Sequence, residues 1–483
     1  MSKDKQQGIE MIKCGRIDCY IPLMFEMEGS FEDICYKINN RLDKDFTSIH
    51  SKLVQGKADI VHIDISDNNI KVGVSAKELE VYHNKRNELI SFYENFKEIY
   101  GLKYINSQEI FVLLPLQVQL NNEELVWLNA MLFIFQNKMG VLKLELPLKN
   151  VSSDMLMEYK YDEYIRNIKY SWVGSTLVEN NTFYSIQQLY INKIKDEGTI
   201  GVKVIGACFY NILLSDFDGM PKQINNISNK VIVDLYRIIA APVTIMDCTS
   251  YETEAQDYIK EHQWMRHNSR YICSTTGACL SITDIAFRDY YMEKYMQKTG
   301  ICKIEEEDRN DIYEKILINL CLNVEYAIII LILKHITQNR FYESFKRMPQ
   351  KMHEIKEEYN QNIMYISEVQ EACYGSVSEQ VETLQKIMPY YLKEKNMENK
   401  LKALDNIISA REVQRRENLQ NFIGLGGFLM TACFGLPSIS ETFSIIRNSF
   451  FLISIDIPLI TIQNFSCIVW LIVLCVIVVR LKK

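Results

Sequence analysis

The sequence predicts an α/β cytosolic domain, then a long stalk helix, then two C-terminal transmembrane helices. Three observations carry this expectation. Ile457–Val479 runs without one charge, about 23 residues or on the order of 35 Å of helix, enough to cross a hydrocarbon core. Residues 311–420 hold only Pro349, Pro389 and Gly375 as helix breakers, with charged and apolar residues at helical spacing. Residues 1–310 mix strand-like and helix-like stretches.

The chain is 483 residues long, long enough for several domains and a sizeable core. Apolar residues make up 48% and charged residues 24%, as in folded proteins. A net charge of -7 argues against a general nucleic-acid binder. With only 19 Gly and 9 Pro, long uninterrupted elements are expected, mainly helices. The 13 cysteines are scattered and include no C-x-x-C pair. Zinc-ribbon and thioredoxin motifs are therefore excluded, and reduced cytosolic thiols are expected. The first residues, MSKDKQQGIEMIKCGRI, contain no apolar core of a secretory signal.

In the first domain, 1–310, strands are expected at Ile110–Leu120, Val126–Phe135 and Val141–Leu148, the last from its alternation. Val202–Leu214 and Val231–Ile239 read as strands or buried helices, since periodicity does not separate the two. Ser75–Tyr100 and Asp154–Ile168 read as helices. Tyr326–Leu333 (YAIIILIL) is intensely apolar but too short to span, so a helix buried in the soluble part is expected.

In the second region, 311–420, Pro349 breaks or kinks the first part. Ser376 and Glu379 form a capping box after Gly375, which places a helix–turn–helix there, one helix ending near Cys373 and the next starting near Val377. Met397, Leu401, Leu404, Ile407, Ile408, Val413 and Leu419 then carry an apolar face up to Phe422. One continuous helix from about residue 390 to Pro437 is expected, and a helix of that length needs neighbours, most simply copies of itself.

The third region, 421–483, holds both expected spans. Asn421–Pro437 is the first, short and rich in glycine (Gly424, Gly426, Gly427, Gly435), and 457–479 is the second. Lys402, Arg411, Arg415 and Arg416 before the first span, and Arg480, Lys482 and Lys483 after the second, put both termini in the cytosol by the positive-inside rule. The expected location is therefore the cytoplasmic (inner) membrane, multi-pass.

An N-terminal α/β domain, a stalk helix that becomes the first span, and a short second span with a basic tail together resemble the CorA-type divalent-cation transporters. The resemblance is architectural over the chain and local in sequence over Leu401–Lys483. It implies a homopentameric funnel with one central pore. The family's Gly-Met-Asn signature falls on Gly435, Leu436 and Pro437, so only the Gly is kept, and Pro437 offers no side-chain amide to hold a hydrated cation. Arg480, Lys482 and Lys483 match the basic inner pore mouth. No cofactor is expected; a divalent cation such as Mg²⁺ is implied as substrate or regulator. Divergent members also serve as nucleotide-gated membrane effectors in prokaryotic defence, which leaves a second function open.

On a continuous helix, seam spacing back from Gly435 selects Ala432, Phe428, Leu425, Asn421, Asn418, Gln414 and Arg411. Facing a pentamer axis, Leu425 and Phe428 would form apolar rings and Asn418 and Asn421 amide rings. The alternative is that the asparagines mark the headgroup level and the apolar pair faces lipid. Glu441 in the outer loop can attract cations or be a solvated charge. In KEHQWMRHNSRY, Arg266, His267 and Arg270 lie among Trp264 and Tyr271 and can hold an anionic ligand such as a small nucleotide, or form a solvated basic face. Glu305–Asp308 reads as a charged linker. No Walker loop, H-E-x-x-H, nucleophile elbow or kinase set occurs, so an enzyme is not expected. The functions expected are a cation-conducting homopentameric channel, a ligand-gated membrane effector on the same scaffold, or a membrane-anchored scaffold without a pore.

Overall fold

A computed structural model describes residues 8–27, 29–38, 40, 60–65, 70–75, 108–113, 116–119, 125–160, 168–171, 178–195, 200–240, 252–266, 268–274, 277–347, 351–372, 375–387, 390–449, 468 and 472. The chain divides into two units, Met1–Glu398 and Asn399–Lys483.

The first unit is built on β1 (Met11–Glu26). Its side chains are buried on both faces along most of its length, and its second half, Cys19–Phe25, accordingly reads as a continuous apolar run rather than an alternation. Two small strands, β2 (Ile60–Ile65) and β3 (Ile70–Ser75), pair with each other and, among the described residues, with no other strand. The main sheet then gathers β4 (Gln108–Val112), β5 (Leu116–Gln119), β6 (Leu125–Phe135), β7 (Met139–Ser152), β8 (Ile168–Ser171), β9 (Val178–Asn181), β10 (Gly201–Val204), β11 (Phe209–Phe217), β12 (Gln263–Arg266), β13 (Ser269–Cys273) and β14 (Ala278–Thr283). Its order is β12-β13-β14-β11-β1-β7-β6-β5-β8-β9, with β10 on β1 and β4 on β6. Pairing is antiparallel except between β11 and β14.

Two layers of helices close the faces. On one face, α1 (Ser153–Lys160), α2 (Phe183–Ile194), α3 (Asn229–Ala240) and α4 (Glu252–Glu261) bring Leu156, Ile186, Tyr190, Leu235 and Ile259 onto Ile17, Leu144 and Ile212. Helix α5 (Ile285–Thr299) leads to α6 (Glu306–Arg347), followed by α7 (Met352–Ala372) and α8 (Gly375–Ile387). On the other face, Val324–Leu333 and Ile336 of α6 pack on Tyr20, Phe133, Val141 and Phe209, with Ile366 of α7 and Val381 of α8 behind them. The YAIIILIL segment is therefore a buried helix, as its length required.

Other expectations resolve by local chemistry. Ile110–Leu120 is two strands, β4 and β5, on either side of Pro115, which offers no ladder N–H. Val202–Leu214 is likewise two strands. Gly206 between them has φ +80, and a Cβ there would lie 2.5 Å from His335 Nε2, so only glycine lets this loop meet α6. Val231–Ile239 is helical, within α3. Of Asp154–Ile168, the part up to Lys160 is helical, 161–167 lie outside the described residues and Ile168 opens β8, and Ser75–Tyr100 lies outside the described residues except for Ser75. Of the Glu305–Asp308 run, Glu306–Asp308 open α6 rather than forming a linker.

Helix α9 (Tyr390–Ser449) is 60 residues long, and from Asn399 onward it makes up most of the described part of the second unit. The expected long helix from about residue 390 is present, but it passes Pro437 and continues to Ser449. Here the expected fold is corrected. No helix among the described residues is long and apolar enough to cross a membrane. The physical reason lies in composition: the uncharged run 421–437 is short and diluted by Asn421, Gly424, Gly426, Gly427 and Thr431, and α9 flanks it with Arg415, Arg416, Glu417, Glu441 and Arg447. The predicted pair of transmembrane helices, the CorA-like funnel built on them, and the multi-pass inner-membrane location with both termini cytosolic are withdrawn. The second expected span, 457–479, lies outside the described residues apart from Ile468 and Ile472.

Candidate functional site

The sheet register lines polar residues up at the centre of the face that α6 covers. Asn129 of β6 pairs with Glu145 of β7, Glu145 with Asp18 of β1, and Asp18 with Asn211 of β11. Residues opposite one another share a face, so this row is a property of the pairing itself. Arg16 and Tyr20 lie two residues either side of Asp18, and Lys143 two residues from Glu145, on the same face.

Five charged groups meet there. Lys143 is 0% exposed; its Nζ donates to Glu325 Oε1 of α6 at 2.6 Å and lies 2.7 Å from Glu145 Oε1 and 3.8 Å from Asp18 Oδ2. Arg16 holds Asp18 with two nitrogens, Nε at 2.7 Å from Oδ1 and Nη2 donating to Oδ2 at 3.0 Å, and reaches Glu145 at 3.6 Å. Asn129 Nδ2 donates to Glu145 Oε2 at 3.2 Å, and the Tyr20 hydroxyl lies 3.5 Å from Asp18 Oδ2. Beside Glu325, the Tyr326 hydroxyl donates to Gln108 Oε1 at 2.6 Å, a second polar tie between α6 and the sheet.

The two sheet carboxylates titrate in opposite directions. Burial pushes Asp18 above the usual carboxylate value, against the pull of Arg16 and Lys143. Burial also acts to raise Glu145, but Arg16, Lys143 and the hydrogen bonds from Lys143 and Asn129 outweigh it and hold Glu145 at about 2. A cluster of this kind can bind or release a proton, and it links α6 to the sheet through charge. Among the described residues, no group of three or more His, Cys, Asp or Glu is placed to hold a metal ion.

The residues expected from sequence are distributed differently. Arg270 is buried on β13; its guanidinium donates to Ile224 O at 3.2 Å and to Met265 Sδ at 3.8 Å, and burial lowers its pKa. It is thus a core-facing group. Arg266 ends β12, and His267 lies outside the described residues. Trp264 stacks on Tyr271 across the β12–β13 pair at 4.6 Å, and His262, just before β12, stacks on Tyr258 of α4 at 4.1 Å. On α9, Asn418, Asn421 and Leu425 are exposed and Phe428 is half-exposed. Ala432, Gly435, Leu436 and Pro437 belong to the same helix, and Glu441 is exposed further along it. Arg480, Lys482 and Lys483 lie outside the described residues.

The charge cluster is what sequence reasoning missed. The signal was present in two short strings, RID at Arg16–Asp18 and KLE at Lys143–Glu145, each placing opposite charges two apart on one strand face. That spacing also suits a solvated face, and only the docking of α6 makes it interior. Comparison with family models, with curated proteins and with solved structures gave no match.

Proposed function

We propose that the protein is a non-enzymatic, self-associating assembly whose copies join through α9. The observation that supports this reading is the exposure of large apolar side chains on one long helix: Ile407, Val413, Leu419, Phe422 and Ile423. At about 100° per residue, these positions spread over more than half of the helix circumference. A single neighbour covers one stripe, so a bundle of several helices fits better than a pair. A Cβ placed at Gly424 or Gly426 would meet nothing within 4 Å, which leaves room for another helix to approach closely. A second copy of the chain is the simplest such neighbour, because each copy brings the same surface. Ion conduction needs spans that the described residues do not supply, and it is not carried forward.

Phe422 is 75% exposed and Leu419 60%, so charges there leave the packing of a single copy untouched. Phe422→Glu and Leu419→Glu should each lower the assembled fraction at a given concentration, read by native mass spectrometry, with unchanged circular dichroism. Variants that assemble like the wild type would overturn the reading.

A further inference from the structure

We propose that Cys273 and Cys279 are a redox-active dithiol, a modification site at which hydrogen peroxide closes a cross-strand disulfide that locks the β13–β14 hairpin. The site lies in the first unit and does not depend on assembly through α9.

The hairpin sets the placement. Cys273 is the last residue of β13, and Cys279 stands directly opposite it on β14. The Ser274 N–H donates to Ala278 O at 2.8 Å, so the adjoining pair, 274 and 278, is the hydrogen-bonded one. The Cys273 N–H turns away from β14 and donates to His262 O at 2.9 Å. Cys273 and Cys279 are therefore a non-hydrogen-bonded pair, the class in which opposite side chains come closest. Cα atoms in such pairs lie about 4.5 Å apart, within the roughly 4.4–6.8 Å that disulfides span.

The two sulfurs already face each other: Cys273 Sγ donates to Cys279 Sγ at 3.7 Å. Joining them takes side-chain rotation and leaves the strand register in place. Both residues are 0% exposed and share a core with Phe209, Tyr271 and Ile330 of α6. Burial pushes the Cys273 thiol well above its usual range, so the reaction runs through local openings that admit a small oxidant.

The chemistry balances in two steps. The sulfur of one cysteine, as thiolate, attacks a peroxide oxygen; the O–O bond breaks, and hydroxide leaves and takes up the thiol's proton as water. This leaves a sulfenic acid. The facing sulfur attacks that sulfur; the S–O bond breaks, and a second water leaves with the remaining proton. Two thiols lose two electrons and two protons, and one hydrogen peroxide is reduced to two waters. A partner directly opposite traps the sulfenic acid before it is oxidised further. The bridge ties β13 to β14 and removes freedom from every state in which the hairpin opens.

The test treats the 483-residue chain with hydrogen peroxide, removes the peroxide, alkylates the remaining thiols in denaturant and maps tryptic peptides by mass. Cleavage after Arg270 and Arg288 leaves both cysteines in one peptide, 271–288. That peptide should be lighter than the dithiol by two hydrogen atoms and carry no alkyl group, and it should take two after reduction. Hydrogen exchange on the oxidised chain should show protection across 269–283 raised by roughly tenfold or more, reversed by dithiothreitol. Cys273→Ala should show neither the bridge nor the gain; if it does not fold, the wild type with and without dithiothreitol carries the comparison. Recovery of 271–288 doubly alkylated at doses and times that oxidise the exposed Cys302 would overturn the proposal. So would bonds from either cysteine to a different one, or a bridge that leaves the protection of 269–283 unchanged.

Discussion

Lys143 sits where its loss is felt most. Removing its ammonium takes a buried cation away from Glu145 and Glu325, which it contacts at 2.7 and 2.6 Å, and breaking a buried pair from one side costs about 3–5 kcal/mol. Lys143→Met should therefore lower unfolding stability by about that much in urea titrations. The double variant Lys143→Met, Glu325→Leu removes a cation and an anion together, and should be less damaging than Lys143→Met alone. Glu145 makes a separate statement at acid pH. Its folded pKa is depressed from 4.5 to about 2, so its contribution is present above 4.5 and is lost as pH falls toward 2. A difference of that size is on the order of 3 kcal/mol. Glu145→Gln should be less stable than wild type at neutral pH, with the gap closing below about pH 3; a gap that stays constant with pH would contradict the assignment.

Among the elements, α2 shows how local sequence sets a boundary. The Thr182 side chain accepts from the Ser185 backbone N–H, and the Ser185 hydroxyl accepts from the Thr182 N–H, a reciprocal cap before Phe183. Thr182→Ala should cost about 1 kcal/mol of thermal stability. Strands bounded by clear alternation or length, such as β6 and β7, were legible because their apolar periods are long. Val231–Ile239 was not: Val231, Leu235, Ile238 and Ile239 make a helix stripe, yet a short apolar run reads equally as a buried strand until something packs on it. The division of Val202–Leu214 depended on Gly206 meeting His335, a contact between residues far apart in sequence. The candidate cluster was hidden for the same reason. Lys143 and Glu145 in VLKLELPL look like the wet face of a strand, and Glu325 looks like a charge flanking an apolar helix. Their meeting is set by the register of β1 on β7 and the docking of α6.

For the whole molecule, the unit Met1–Glu398 has a core on both faces of one sheet, while the unit from Asn399 exposes apolar side chains along α9. Exposed residues of this kind, repeated along a helix, call for partners, and copies of the same chain are the partners proposed. The most direct measurement is sedimentation velocity of the purified chain over a concentration series. Self-association through α9 predicts a discrete species several times the 56.6 kDa of one copy, dissociating on dilution or on Phe422→Glu substitution. A sharp 56.6 kDa monomer at every concentration would contradict it.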